Sequence, residues 1–421
     1  MGAPRAASLL VKGGASLDPP GKAGVCRLTA DMLDEGAAEL GALEFTSAME
    51  RLGASFTVAT GRESVRVNLQ ALTSKLEPAL ALCADAVLRP RFDDGEWQRV
   101  KRLHLEALRQ AEDRPSSVAR LVGMRAFFGD DHSYGRPIAG SEATVKDLTV
   151  KDLVRCYGAT FFPGNAKVFI AGDLGAGEAK AALEKAFGAW RDPAGAVPAQ
   201  TLAEPAPRGP HRVVLVDKPE AVQTVVRFYM PGPSFAHPER STYKALNTVL
   251  GGSFTSRLNQ NLREKHGYTY GAASSFVMTP RSGYFVAAAS VQAKHTAASI
   301  REFLAELDSI RTGNVTEEEA GKARATNRQE VVQSLQGLRG LLEAAITLEL
   351  GGLPFAALGS YMEAVEKVSA ADINELGKRA IPLEHAVLVL VGSKRTILAQ
   401  IGELQLPTPV ELSVHGEPVS R

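Results

Sequence analysis

A chain of 421 residues, 45% hydrophobic and 23% charged, with a formal net charge of +1, has the composition of a globular protein large enough for two cores. The near-neutral balance gives no electrostatic case for nucleic acid or an acidic membrane surface. No uninterrupted apolar run exceeds six residues, far below the ~20 that cross a bilayer, and the β-branched run Ala386 to Val391 predicts a buried strand.

In chain order, Ala7 to Val11 reads as a strand closed by the turn Gly13-Gly-Ala-Ser-Leu-Asp-Pro-Pro. Val25, Leu28, Met32 and Leu33 share one helical face, and Gly36 ends that helix. Gly53 stops the next helix. Ser55 to Thr60 and Val65 to Leu69 then alternate on either side of Gly61-Arg62, a hairpin pattern. Ser74-Lys-Leu-Glu77 predicts a capping box before the apolar series Leu76, Leu80, Ala84, Val87, and Asp93 with Glu96 predicts another for the helix through Glu112. Leu148-Thr-Val-Lys-Asp152 starts a capped helix that leads to a buried strand, Val168 to Gly172. The stretch Pro193 to Pro210 holds five prolines and no sustained periodicity, which makes it a semi-extended linker between domains at 1–192 and 211–421.

Beyond the linker come the strands His211 to Asp217 and Thr224 to Met230, then a strand over Gly283 to Val291 and helices over Ala297 to Ile310 and Glu317 to Gln336. The capped helix at Val368-Ser-Ala-Ala-Asp372 and the strand Val387 to Gly392 close the pattern. These last two match Leu148 to Asp152 and Val168 to Gly172 at a step of about 220 residues, the signature of a duplication. Thr224 to Met230 corresponds to Ala7 to Val11 at nearly the same step, and His211 to Asp217 has no counterpart in the first half. The first domain is therefore expected to lack an opening strand and to present an unpaired sheet edge, and any export signal would lie upstream of this chain. Each half is expected to be a two-layer α/β (α+β) domain, a mostly antiparallel sheet covered by helices, with the pair arranged as a clamshell around a cavity.

Leu262-Arg263-Glu-Lys-His-Gly267-Tyr-Thr-Tyr270 resembles the Leu-Arg-Glu-Lys-x-Gly-x-x-Tyr stretch in the C-terminal half of the pitrilysin/insulinase family of inverted-zinc-motif peptidases, which includes the mitochondrial processing peptidase. His132-Ser-Tyr-Gly-Arg-Pro-Ile-Ala-Gly-Ser141, Leu148 to Leu153, Phe162-Pro-Gly-Asn165 and Ala171-Gly-Asp173 follow in that family's order. The resemblance covers nearly the whole chain. In active members a His-x-x-Glu-His helix supplies two zinc ligands and the general base, with a downstream Glu as third ligand. Aligned on that pattern, Arg27 and Asp31 replace the histidines, Ala30 replaces the base, and Ala107 stands at the third ligand. The eight histidines include no pair at helical ligand spacing, and a guanidinium in place of the first ligand would repel a cation. Asp31, Asp34 and Glu35 form an acidic cluster whose simplest reading is a solvated helix end.

Arg263 and Tyr270 remain, and the resemblance assigns such a pair to gripping the substrate backbone and donating to the oxyanion that forms at the peptide carbonyl. From the residues alone, the competing reading is a helix-end arginine paired with Glu264 or Glu317 and a core tyrosine. Gly251-Gly252-Ser253 offers backbone N–H groups before a helix, a weaker substrate-binding candidate than a simple helix end followed by a Ser253 cap. Cys26, Cys83 and Cys156 read as small buried hydrophobes with no thiol site. His104 reads as a packing histidine and His132 as a turn residue. The expectation is a zinc-less subunit with no cofactor of its own, supplying Arg263 and Tyr270 to a homologous zinc-bearing partner that cleaves peptides. A non-catalytic structural or peptide-binding subunit, like the respiratory-complex core subunits that share the fold, is the alternative. The compartment, cytoplasmic or periplasmic in a bacterial-type cell, stays open.

Overall fold

The structure, a computed structural model, describes residues 4–194 and 212–419, so the linker lies outside the described residues except for Pro193 and Ala194. The described residues divide into two compact units that interleave along the chain. One contains residues 4–110, 136–194 and Ser334–Thr347; the other contains Ala111–Gly135, 212–333 and 348–419.

The first unit begins with β1 (Pro4–Lys12), whose run of small and branched side chains suits a strand with neighbours on both sides. Next come α1 (Val25–Asp31), the two-residue strands β2 (Gly36–Ala37) and β3 (Leu40–Gly41), and α2 (Ala42–Arg51). The hairpin of β4 (Ser55–Thr60) and β5 (Ser64–Leu72) forms as the alternation predicts. Along β5, Val65, Val67, Leu69 and Ala71 point into one core with Leu9 and Val11 of β1, so a slip of one residue would turn that whole set outward. The helix α3 (Leu76–Leu88) starts after a 3₁₀ turn at Thr73–Lys75, and the expected Ser74/Glu77 capping box does not form. Ahead of α4 (Asp94–Glu112) the Asp93 carboxylate pairs with Arg91 at 2.8 Å and Glu96 with Arg99 at 2.7 Å.

After α5 (Pro115–Phe128), which packs with the second unit, the chain returns through α6 (Glu142–Lys146), α7 (Val150–Thr160), β6 (Ala166–Ala171) and α8 (Ala176–Phe187). At the start of α7 the box at Thr149 and Asp152 does form, with Asp152 Oδ2 accepting the Thr149 N–H at 3.0 Å. The sheet order is β4-β5-β1-β6. β6 was expected to be buried; it is only half-buried, because among the described residues nothing pairs with its outer side.

The second unit is built on β7 (Arg212–Asp217), β8 (Gln223–Gly232), β9 (Thr269–Met278), β10 (Gly283–Gln292), β11 (Val387–Gly392) and β12 (Val410–Glu411), in the order β12-β7-β11-β8-β10-β9. Here β11 is flanked by β7 and β8, and all six of its residues are buried. One face carries Val226, Phe228 and Met230 into a core with Phe285, Phe303 and Leu388. That core is covered by α9 (Arg240–Leu250), α11 (Thr296–Arg311), α12 (Glu317–Ser334) and, further along, α15 (Ala370–Ala380). Along the chain between them come the short α10 (Arg257–Asn259), α13 (Gly337–Leu350), most of which belongs to the first unit, and α14 (Ala357–Lys367); α16 (Lys394–Ile401) follows β11. The Ser369/Asp372 capping box is formed, Oδ2 accepting the Ser369 N–H at 2.8 Å. On the other face of the sheet α5 lies against β8 and β11. Gly123 permits this, since a Cβ there would sit 2.2 Å from the Tyr229 ring. No helix among the described residues is long and apolar enough to cross a membrane.

Candidate functional site

The position of the lost metal site is a helix face closed by ion pairs. On α1, Arg27 and Asp31 stand one turn apart, and the guanidinium Nε donates to both carboxylate oxygens at 2.8 and 2.7 Å. Ala30 is fully buried between them in sequence, where a general base would need to reach water. Ala107, on α4, is an exposed methyl. A guanidinium already charge-paired to its neighbour, with no imidazole on the helix, does not fit zinc. Asp31 is taken by Arg27 and Glu35 by Arg99, and no group of three or more potential ligands assembles among the described residues. Burial, followed by the charge of Glu35, raises Asp34 to about 6.

Just upstream, Asp18 accepts the N–H groups of Gly24 at 2.7 Å and Cys26 at 2.9 Å and so ties down the start of α1. Burial pushes its carboxyl up to about 7 against the pull of those donors and of Arg136. Cys26 lies beneath, and the neighbouring Cys156 thiol of α7, together with burial, holds the Cys26 thiol well above its ordinary range. The thiol pair went unseen in the sequence because 130 residues of chain separate positions 26 and 156. His104 packs with its Nε2 2.7 Å from the Ala139 carbonyl, and His132 Nδ1 accepts the Tyr134 N–H at 3.0 Å in a turn.

In the second unit, α10 widens into a π-helical turn over Gln260–Lys265 that carries Arg263, a geometry common where a helix is bent to present a side chain. The guanidinium lies 4.4 Å above the ring of Phe254, and its Nε is 3.5 Å from Glu264. Tyr270, on the edge strand β9, is 92% exposed and belongs to no core. Phe254 is itself 65% exposed, so an aromatic ring and a phenol stand open on one unit, with a half-buried guanidinium against the ring. Sequence reasoning missed Phe254; its only local signal is an aromatic residue in a turn of glycines and hydroxyls.

The Gly251-Gly252-Ser253 turn is used internally. The N–H groups of Gly251 and Gly252 both reach the Asn247 carbonyl, at 2.9 and 2.6 Å, and Ser253 Oγ donates back to Thr248 O at 3.0 Å instead of capping α10, whose N-cap is Ser256. Gly251 is required sterically: its carbonyl accepts the Ser274 N–H at 3.0 Å, and a Cβ would meet Ser274 N at 2.5 Å. Asn259 Oδ1 accepts the neighbouring Ala272 N–H at 2.9 Å, so the outer edge of β9 is already bonded at two positions.

Residues 4–141 match the insulinase (peptidase family M16) domain, and residues 147–327 match the peptidase M16 inactive domain. An uncharacterized zinc protease of Mycobacterium tuberculosis is 26% identical over 381 residues, covering 90% of this chain and 86% of the relative. A Helicobacter pylori protein named as a non-peptidase homolog is 24% identical over 403 residues, covering 92% and 88%. Among solved structures, the peptidase M16 inactive domain from Pseudomonas fluorescens superposes with a TM-score of 0.86 at 22% identity, covering 93% of each chain. A protease from Helicobacter pylori gives 0.86 at 18% identity, covering 92% of this chain and 94% of its own. With a degenerate metal position in its first half and the inactive-domain match in its second, this chain belongs to the insulinase (M16) peptidase family as a member of the non-zinc-binding type.

Proposed function

We propose that this chain is the zinc-less subunit of a heterodimeric peptidase and that a homologous partner supplies the zinc and the His-x-x-Glu-His site. The carrying observation is an asymmetry. The metal position is filled by an Arg27–Asp31 pair whose Nε is bound to both carboxylate oxygens, whereas Tyr270 is exposed and Arg263, half-buried on Phe254 with its Nε beside Glu264, keeps terminal N–H donors to offer. A guanidinium cushioned on Phe254 can hold a main-chain carbonyl, and an exposed phenol O–H can donate to charge that develops on a carbonyl oxygen. The substrate in this reading is an extended peptide added to a sheet edge. The bonded edge of β9 makes β4, which has a neighbour on one side only, the better template in this chain.

Co-purification with a zinc-bearing homologue, followed by peptide cleavage with each chain alone and with both, tests the proposal. Activity is expected only in the mixture. Arg263→Ala and Tyr270→Phe are each expected to lower kcat by ~100-fold with a smaller change in substrate affinity, the loss seen when an oxyanion donor is removed. The name of the Helicobacter pylori relative favours a second reading, a non-catalytic peptide-binding or structural subunit. Under it both variants leave the assembly's turnover unchanged.

A further inference from the structure

The outer face of the second sheet carries a cation with no counter-ion. Arg227 sits near the middle of β8, directly opposite Ala288 of β10 and Val389 of β11. Beyond Ala288 the next residue across is Ala273 of β9, so the ground beside the arginine on that side is two methyl groups. The guanidinium is 5.5 Å from the Tyr229 ring centroid, and its Nε is buried with no hydrogen-bond partner. The Tyr229 side chain is itself fully buried, and its hydroxyl has no partner either. Burial pushes that phenol up to about 12, opposed by the positive charges of Arg227 and Arg120.

Arg120 comes from α5. It lies one turn before Gly123, the residue that lets the helix touch the Tyr229 ring, so the two share a helical face. Arg120 is exposed, and neither it nor Arg227 has a carboxylate partner among the described residues. Elsewhere in this unit arginines find acids: Arg125 pairs with Asp130, Arg257 with Glu319 and Arg379 with Glu239. Two like charges flanking a buried O–H that lacks an acceptor are mutually unfavourable unless an anion joins them.

We propose that Arg120, Arg227 and the Tyr229 hydroxyl form a carboxylate-binding site that holds an acidic group of a bound peptide, its C-terminal carboxylate or an Asp or Glu side chain. The site deepens the reading of the chain as a peptide-binding subunit and rests on it. The guanidinia supply charge-assisted donors, the phenol supplies a neutral donor at the floor, and Ala288 and Ala273 leave room for the peptide beside them.

The test uses the complete chain and three dye-labelled decapeptides read by fluorescence anisotropy at low salt. One has uncharged side chains and a free C-terminal carboxylate, the second is its C-terminal amide, and the third is an amide with one interior Glu. Binding of an acidic peptide about 10-fold or more tighter than the uncharged amide is expected, the worth of one charge-assisted contact. The first and third peptides tell a terminal from a side-chain carboxylate. Arg227→Gln and Arg120→Gln should each erase most of that preference. Tyr229→Phe, which removes a buried hydroxyl with no partner and so does not endanger folding, should reduce the preference while leaving amide binding alone. Equal binding of all three peptides, no binding of any, or a preference that survives both arginine variants overturns the site. The carboxylate site is read in the acid-to-amide binding ratio and the catalytic pairing in peptide turnover, so failure of one and failure of the other are told apart in separate assays.

Discussion

At the scale of single residues, the lost metal site is a replacement of one stable arrangement by another. A His-x-x-Glu-His helix needs a cation to bring its ligands together; Arg27 and Asp31 supply opposite charges and need nothing further. Exhaustive dialysis against EDTA is therefore expected to leave Tm within about 1 °C, because no bound ion contributes to folding through mass action. A larger fall would reveal a ligand set that these residues do not display. Asp18 gives a pH signature. Its carboxyl titrates at about 7 in the fold against an ordinary 3.8, so from pH ~4 to 7 the native state keeps a proton that the unfolded chain has released. The stabilisation is complete below the unfolded value and drains away as pH rises through the folded one, with an upper bound of about 4 kcal/mol. Asp34, raised to about 6, acts in the same direction. Asp18→Asn should flatten the dependence of the urea midpoint between pH 4.5 and 7.5, as well as lowering stability throughout, because an amide oxygen cannot accept both helix-start N–H groups as two carboxylate oxygens do. An unchanged slope would show that Asp18 remains ionised.

At the scale of elements, the local grammar of the chain was legible wherever the side chains had no better offer. The Thr149/Asp152 and Ser369/Asp372 boxes form as their spacing predicts, while the one at Ser74 gives way to a 3₁₀ turn. Two glycines on helices separate packing from propensity. Gly123→Ala in α5 places a methyl 2.2 Å from the Tyr229 ring and should cost about 1–3 kcal/mol, read as a lower urea midpoint. Gly158→Ala in α7 meets nothing within 4 Å and should stabilise by about 0.4–1 kcal/mol by restricting the unfolded chain. Equal effects of the two would mean that α5 does not rest on the sheet as described. The same contact positions Arg120, so the element scale is also where the carboxylate site is assembled.

At the scale of the whole molecule, the compact units do not follow the order of the chain: α5, from the first half, covers β8 and β11. A fragment of residues 211–421 expressed alone leaves that face bare and is expected to aggregate or bind a hydrophobic dye, and co-expression with residues 1–194 should rescue it. A soluble, cooperatively folding fragment would contradict the assignment of α5. The sequence by itself determined the hairpin over 55–69, the capped helices after Thr149 and Ser369, the strands around Val226 and Val389, the loss of the zinc ligands and the family, because periodicity, turn chemistry and the identity of a ligand are properties of neighbouring residues. Only the tertiary structure decided that Tyr270 lies open, that Arg263 rests on Phe254, that Cys26 meets Cys156, and that Arg227 lies over the buried Tyr229 ring. Each of these joins positions on separate elements, and the surface a side chain meets is set by how whole sheets and helices pack, which no local pattern encodes.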